Sequence, residues 1–128
     1  MEDEKKFSIR KRISSVTYAW RGLCLFFKNT HNAWVQVFFG LLVVYLGFLL
    51  NISSTEWALI ILSIGLVFVA EAFNTAIEID IDLTSPEYHP YARDTKDVAA
   101  GAVLIMSTIA LIIGLIIFLP KILLNVKI

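Results

Sequence analysis

Three apolar segments, each close to the length needed to cross a bilayer, constrain the fold of this chain most strongly. They span residues 34–50 (WVQVFFGLLVVYLGFLL), 57–79 (WALIILSIGLVFVAEAFNTAIEI) and 99–120 (AAGAVLIMSTIALIIGLIIFLP). A transmembrane helix needs about 20 predominantly apolar residues. Of the 128 residues, 58% are hydrophobic, a larger share than in an ordinary soluble domain. The sequence therefore predicts one all-α integral membrane domain, residues 1–128, with three transmembrane helices.

The basic residues are distributed unevenly around these segments. Residues 5–28 hold seven Lys or Arg and the 80–98 connection holds two, whereas the opposite side has only Lys121 and Lys127. Because Lys and Arg favour the cytoplasmic side, the N-terminus is predicted to be cytoplasmic. The 80–98 segment is predicted to be a cytoplasmic loop, with Asp94 as the N-cap of the last helix. Lys and Arg total 11, as do Asp and Glu, so net charge gives no indication of a nucleic-acid partner.

An amphipathic pattern precedes the first apolar segment. Over residues 7–29, apolar side chains recur at helical spacing and polar side chains occupy another face. The apolar residues are Ile13, Val16, Trp20, Leu23, Cys24 and Phe27, and the polar ones are Arg10, Ser14, Arg21 and Lys28. This pattern is typical of a helix that lies on the membrane surface, and a simple membrane anchor without chemistry would show it as well.

Carboxylates and amides continue along the second apolar segment without a turn residue. At 100° per residue, five side chains fall within about 60° of one direction on the helix, whereas Asp80 points to the opposite side. These five, the polar stripe, are Glu71, Asn74, Thr75, Glu78 and Asp82. An ionisable group inside a membrane helix is costly and indicates a functional site. The structural alternative is a protonated Glu71 that hydrogen-bonds to another helix.

The spacing along the polar stripe suggests a reaction. A carboxylate at the lipid edge can accept a proton from a membrane hydroxyl, and a second one nearer the cytoplasm can hold Mg²⁺ on a nucleotide. Lys96 can offset phosphate charge. Together these groups favour phosphoryl transfer from ATP to a lipid alcohol. The sequence contains no GxxxxGK[ST] loop and no kinase glycine-rich loop, so helices must build any nucleotide site.

The segment EAFNTAIEIDIDLTSPEYHPYARDTKDVAAGAVL, residues 71–104, resembles the signature of the small prokaryotic diacylglycerol and undecaprenol kinases. The segment RISSVTYAWRG, residues 12–22, resembles the surface helix of the same family. The resemblance covers nearly the whole chain. It implies a homotrimer in a prokaryotic plasma (inner) membrane, with active sites shared between neighbouring subunits.

The resemblance also implies roles for individual residues. Glu71 corresponds to the general base on the lipid hydroxyl, with Asn74 beside it, and Glu78 corresponds to the ligand of Mg²⁺ and ATP. Further positions that match nucleotide contacts are Tyr18, Glu87, His89, Lys96 and Asp97, and positions that match lipid contacts are Arg12 and Ala100. ATP is expected as co-substrate, Mg²⁺ as cofactor and a membrane lipid alcohol as acceptor.

One departure from the family pattern concerns the metal site. The family usually has a second metal-binding glutamate before the first span, and the corresponding residue here is Thr30. The Arg and His that follow in the pattern are Trp34 and Gln36, and residues 5–55 contain no Asp or Glu. A catalytically weak or inactive relative that binds lipid or a membrane partner is therefore the alternative hypothesis. A proton-coupled carrier fits less well, because three spans with one acidic face make a poor pathway.

Overall fold

A computed structural model describes residues 7–126, and this part of the chain is entirely helical apart from short connections. The helices are α1 (Ile9–Asn29), α2 (His31–Leu49), α3 (Ser54–Thr84) and α4 (Pro90–Val126). Helices α2, α3 and α4 are each long and apolar enough to cross a membrane. The predicted all-α fold with three apolar helices is confirmed. Lys5, Lys6 and Lys127, which enter the orientation prediction, lie outside the described residues.

The helices extend further than their apolar segments. Helix α3 continues to Thr84 and α4 begins at Pro90, so most of the predicted 80–98 loop is helical and only residues 85–89 connect the two helices. The prediction of Asp94 as an N-cap is wrong, because Asp94 lies within α4. Proline suits the first position of a helix, since its φ is already helical and it lacks the N–H that would have no partner there. Hydropathy marks the part of a helix in lipid and does not mark where the helix ends.

Helix α3 also starts earlier than predicted, at a capping box. The Ser53 hydroxyl accepts the N–H of Glu56 at 3.2 Å, and the Glu56 carboxylate accepts the N–H of Ser53 at 2.8 Å. These two bonds satisfy backbone donors that a helix start leaves without partners. Lys121, one residue after Pro120 inside α4, lies 3.4 Å from the same carboxylate. This contact joins α3 to α4 at the end predicted to be extracytoplasmic.

Buried apolar residues pack together at that end of the helices. Helix α3 packs along α4 over much of its length, and a small buried cluster consists of Ile52, Ile60, Ile117 and Phe118. Gly47 of α2 lies directly against the ring of Trp57, where an added Cβ atom would stand 2.6 Å from Cη2. Helix α2 therefore needs a residue without a side chain at this crossing.

Helix α1 is joined to α2 through one residue, Thr30. The indole Nε1 of Trp34 donates to the Phe27 carbonyl at 2.8 Å, and the Phe27 ring contacts the rings of Trp34 and Phe68. These contacts hold the junction of α1 and α2 against α3. Most of α1 before this junction is exposed in the single chain.

Candidate functional site

An open cavity of about 450 Å³, here called the polar cavity, lies where the α1–α2 junction meets α3. One wall consists of residues 29–32, and the other is the helix face that carries the polar stripe. All five stripe residues, Glu71, Asn74, Thr75, Glu78 and Asp82, line the cavity, whereas the exposed Asp80 does not. The helical geometry predicted for the stripe is confirmed.

Glu71 is the most deeply buried ionisable group that the structure describes. Its side chain is 3% exposed, and its Oε2 accepts one hydrogen bond, from Nε2 of Gln36 on α2 at 3.4 Å. The Oε1 atom of Gln36 is buried and has no hydrogen-bond partner among the described residues. A carboxylate in such surroundings is costly and is rare outside functional sites.

Glu78 lies two turns along the same face and is exposed. Its Oε1 accepts a hydrogen bond from Nδ2 of Asn74 at 3.4 Å. Asn74 itself is 8% exposed, and its Oδ1 is a second buried acceptor that lacks a partner within residues 7–126. Glu71 and Glu78 are thus each paired with an amide whose carbonyl oxygen has no partner within residues 7–126.

Thr30 stands at the position where the family resemblance places a glutamate. Its hydroxyl lies 3.1 Å from the hydroxyl of Thr75 on α3, and both threonines line the polar cavity beside Glu78. Thr30 ends α1 and precedes α2 without capping α2 by its side chain. The junction therefore contributes hydroxyl, amide and imidazole groups to the cavity and no carboxylate.

A second cavity of about 250 Å³, the loop cavity, is formed by the 85–89 connection and the first turns of α4. Four residues that the resemblance assigns to the nucleotide line it, Glu87, His89, Lys96 and Asp97. Asp82 lines both cavities, and its carboxylate accepts a hydrogen bond from the Lys96 ammonium. The end of α3 and the start of α4 are thereby linked, and the two cavities are neighbours.

Three predicted site residues lie outside both cavities. Tyr18 on α1 is 71% exposed, Arg12 lies over the ring of Phe7 at 5.4 Å, and Ala100 is exposed on α4. The single chain brings together seven of the ten predicted site residues: Glu71, Asn74, Glu78, Glu87, His89, Lys96 and Asp97.

Two residues near the site were not among the predicted site residues. Gln36 contacts Glu71, and Arg93 lines the loop cavity while its guanidinium contacts Asp94 and the Tyr88 hydroxyl. Gln36 is the only amide side chain in the apolar segment 34–50, and such an isolated polar residue inside a membrane helix is a signal that could have identified it.

The polar cavity offers few side chains that could bind a metal ion. The structure brings no three His, Cys, Asp or Glu side chains within residues 7–126 into a cluster that could hold a metal. Mg²⁺ differs from most metals in this respect, because it often takes one or two protein carboxylates and completes its shell with phosphate oxygens and water. The exposed Glu78 carboxylate and the free Oδ1 of Asn74 are oxygen ligands of this kind.

These features define an all-helical membrane protein with a carboxylate-bearing site beside the ends of its spanning helices. The chain was compared with known protein families and with characterised proteins. The family model described as "Prokaryotic diacylglycerol kinase" matches residues 17–118. The chain therefore belongs to the prokaryotic diacylglycerol kinase family, as its sequence motifs predicted, and it is a lipid kinase by class.

Named relatives from three bacteria agree with this assignment. The chain is 40% identical over 113 residues to undecaprenol kinase of Bacillus subtilis, covering 88% of this chain and 92% of that one. It is 37% identical over 110 residues to diacylglycerol kinase of Synechocystis sp., covering 85% of this chain and 63% of that one. It is 32% identical over 100 residues to diacylglycerol kinase of Escherichia coli, covering 78% of this chain and 82% of that one. Among these relatives, one is named for undecaprenol and two are named for diacylglycerol.

Proposed function

We propose that this protein phosphorylates the hydroxyl group of a membrane lipid alcohol, undecaprenol or diacylglycerol, with ATP as phosphate donor. The observation that carries this proposal is the pair of carboxylates in the polar cavity, Glu71 buried and Glu78 exposed on one face of α3. A buried base suits a hydroxyl that stays in lipid, and an exposed carboxylate suits a nucleotide that comes from water.

Glu71 acts as the general base in this proposal. The lipid hydroxyl oxygen attacks the γ-phosphorus of ATP, the bond from that phosphorus to the β,γ-bridging oxygen breaks, and ADP leaves. The hydroxyl proton passes to the Glu71 carboxylate. Because phosphoryl transfer depends mainly on positioning and charge stabilisation, the burial of Glu71 also serves to keep water away from the acceptor.

Glu78 is proposed as the Mg²⁺ and ATP ligand. Asn74 holds this carboxylate through Nδ2, and its free Oδ1 is available as a further oxygen ligand. Bound Mg²⁺ supplies positive charge that offsets the charge of the phosphates. The neutral Thr30–Thr75 contact contributes no charge of its own to this ion.

The nucleotide is proposed to occupy the loop cavity and the adjoining part of the polar cavity. Lys96 faces this space from α4 and supplies a cation for the phosphates, and Glu87, His89 and Asp97 provide polar contacts around it. Asp82 holds Lys96 at the point where the two cavities meet. Both cavities would face the cytoplasm, in agreement with the charge distribution along the chain.

The residues that line neither cavity fit a shared site in a homotrimer. Tyr18 as a nucleotide contact, and Arg12 and Ala100 as lipid contacts, require either a neighbouring subunit or the lipid itself beside them. Helix α1 is proposed to lie on the cytoplasmic surface of the plasma membrane, where its exposed apolar residues would contact lipid. Its N-terminus would then be cytoplasmic.

A second candidate function is a catalytically weak or inactive relative that binds lipid or a membrane partner. The observation that favours it is Thr30, since the polar cavity lacks a carboxylate where the family pattern has one. This candidate predicts lipid binding with little or no phosphorylated product.

An assay with purified protein distinguishes the two candidates. Protein in lipid–detergent micelles is given ATP, Mg²⁺ and either undecaprenol or diacylglycerol, and phosphorylated lipid is measured. We expect product from at least one alcohol, near-complete loss in Glu71→Gln, and full activity in the control Asp80→Asn, which removes a carboxylate from the opposite face of α3. Absence of product from both alcohols over a wide range of Mg²⁺ concentration would contradict the kinase proposal.

A further inference from the structure

Gln36 occupies an unusual place between polar and apolar surroundings. Its side chain lines an apolar groove of about 470 Å³ between α2, α3 and α4, where its neighbours include Phe39, Gly40 and Val67. Its Nε2 nevertheless reaches Glu71 on the wall of the polar cavity. An amide in an apolar groove must find partners for both of its ends, because a buried polar group without a partner is costly.

Only one end of this amide has a partner. Nε2 donates to Glu71 Oε2 at 3.4 Å, whereas Oε1 is fully buried and accepts no bond from any described residue. A residue placed only to stabilise the fold would have both ends satisfied, and an unsatisfied buried acceptor calls for a functional explanation. The free Oε1 therefore shows that the needs of the fold alone do not account for Gln36 at this place.

The hydrogen bond from Gln36 also restricts the orientation of Glu71. A glutamate side chain has three rotatable bonds, and Glu71 accepts no other hydrogen bond from residues 7–126. Holding Oε2 from α2 leaves Oε1 of Glu71 as the free oxygen for a proton. General bases act efficiently only when they are fixed at hydrogen-bond distance from the proton they accept.

We propose that Gln36 is a positioning residue, which holds Oε2 of the Glu71 carboxylate through Nε2 and so leaves Oε1 of Glu71 free to accept the proton of the lipid hydroxyl. This inference rests on the proposed function for its effect on rate. The hydrogen bond from Gln36 to Glu71 can be tested without any kinase reaction. It also assigns a role to a position where this chain departs from the family pattern.

The first experiment measures rates in two variants. Gln36→Met keeps the length of the side chain and removes the amide, and Gln36→Asn keeps the amide and shortens its reach by one methylene. We expect both to lower kcat about 10- to 100-fold with the KM for ATP unchanged, because the lost contact concerns the base and not the nucleotide. Ser63→Ala, which removes a buried hydroxyl of α3 that bonds only to its own helix, should leave kcat unchanged.

The second experiment needs no turnover. Dicyclohexylcarbodiimide labels protonated carboxyl groups in apolar surroundings, and mass spectrometry gives the rate of its addition to Glu71. Loss of the hydrogen bond from Gln36 leaves both carboxylate oxygens of Glu71 free to react, so labelling should be at least about threefold faster in Gln36→Met and Gln36→Asn, and unchanged in Ser63→Ala. Either variant, if it folds, suffices for the test.

The outcomes separate this inference from the proposed function. Unchanged labelling and unchanged kcat in a folded Gln36 variant overturn the inference, as does an equal change in Ser63→Ala. Absence of lipid phosphorylation in the unaltered protein overturns the kinase proposal, and faster labelling in the Gln36 variants would still establish that Gln36 holds Glu71.

Discussion

The hydroxyl oxygens of Thr30 and Thr75 lie 3.1 Å apart, so the α1–α2 junction meets α3 through a neutral hydrogen bond inside the polar cavity. In the family pattern a glutamate stands at position 30. The contact shows how this chain fills the position, since one hydroxyl donates to the other and the pair carries no charge that a metal ion would have to offset. The structure also shows that position 30 faces the same cavity as Glu78.

Restoring the acid at position 30 should strengthen Mg²⁺ binding. We expect Thr30→Glu to lower the Mg²⁺ concentration for half-maximal rate roughly 3- to 10-fold, because a second carboxylate would join Glu78 as an oxygen ligand. The measurement is the initial rate as a function of Mg²⁺ at fixed ATP. Thr55→Glu adds the same charge at the opposite end of α3 and should have no effect. An unchanged Mg²⁺ requirement in Thr30→Glu would contradict the role assigned to this position.

Lys96 should matter for ATP binding and little for stability. Its ion pair with Asp82 is formed by side chains that are 37% and 67% exposed, and such exposed pairs contribute little to stability because water screens them. We expect Lys96→Met to raise the KM for ATP about tenfold, with a nearly unchanged thermal unfolding temperature. Lys121→Met breaks the comparable pair with Glu56 at the far end and should leave the KM for ATP unchanged. Equal KM values in both variants would argue against a phosphate contact at Lys96.

Gly47 should be intolerant of any side chain. A Cβ atom there would lie 2.6 Å from Cη2 and 2.8 Å from Cζ2 of Trp57, and such overpacking costs about 1–3 kcal/mol. Gly47→Ala should therefore lower the thermal unfolding temperature in detergent. The matched control is Gly40→Ala in the same helix, where the nearest atom, Cγ2 of Ile64, is 3.8 Å away. Equal unfolding temperatures for the two variants would show that α2 does not pass this close to the Trp57 ring.

The capping box at the start of α3 should contribute measurably to stability. The Ser53 hydroxyl satisfies the N–H of Glu56, and replacement of such a cap by alanine costs about 1 kcal/mol. We expect Ser53→Ala to destabilise the protein by this amount in reversible denaturant unfolding. Ser54→Ala, one residue later in the first turn and exposed, serves as the control and should change stability by less than half as much. A Ser53→Ala variant as stable as the control would show that the cap is not formed in the membrane.

The sequence alone located the spanning helices and the polar stripe because both depend on local periodicity. An apolar run of sufficient length must place its backbone in a helix within lipid, and rotation of 100° per residue puts Glu71, Asn74, Thr75, Glu78 and Asp82 on one face whatever the rest of the chain does. The family resemblance rests on the same residues. The ends of the helices were less predictable, since α3 and α4 continue through polar residues as far as Thr84 and back to Pro90.

Tertiary structure decided which residues meet the polar stripe. Thr30 and Gln36 are 45 and 35 residues away from their partners along the chain, and the packing of α2 against α3 selects them. The same holds for Asp82 and Lys96, which meet because the short 85–89 connection turns α4 back along α3. A helical period determines the direction of each side chain around its own axis, but only the packing of one helix on another determines which partner lies in that direction.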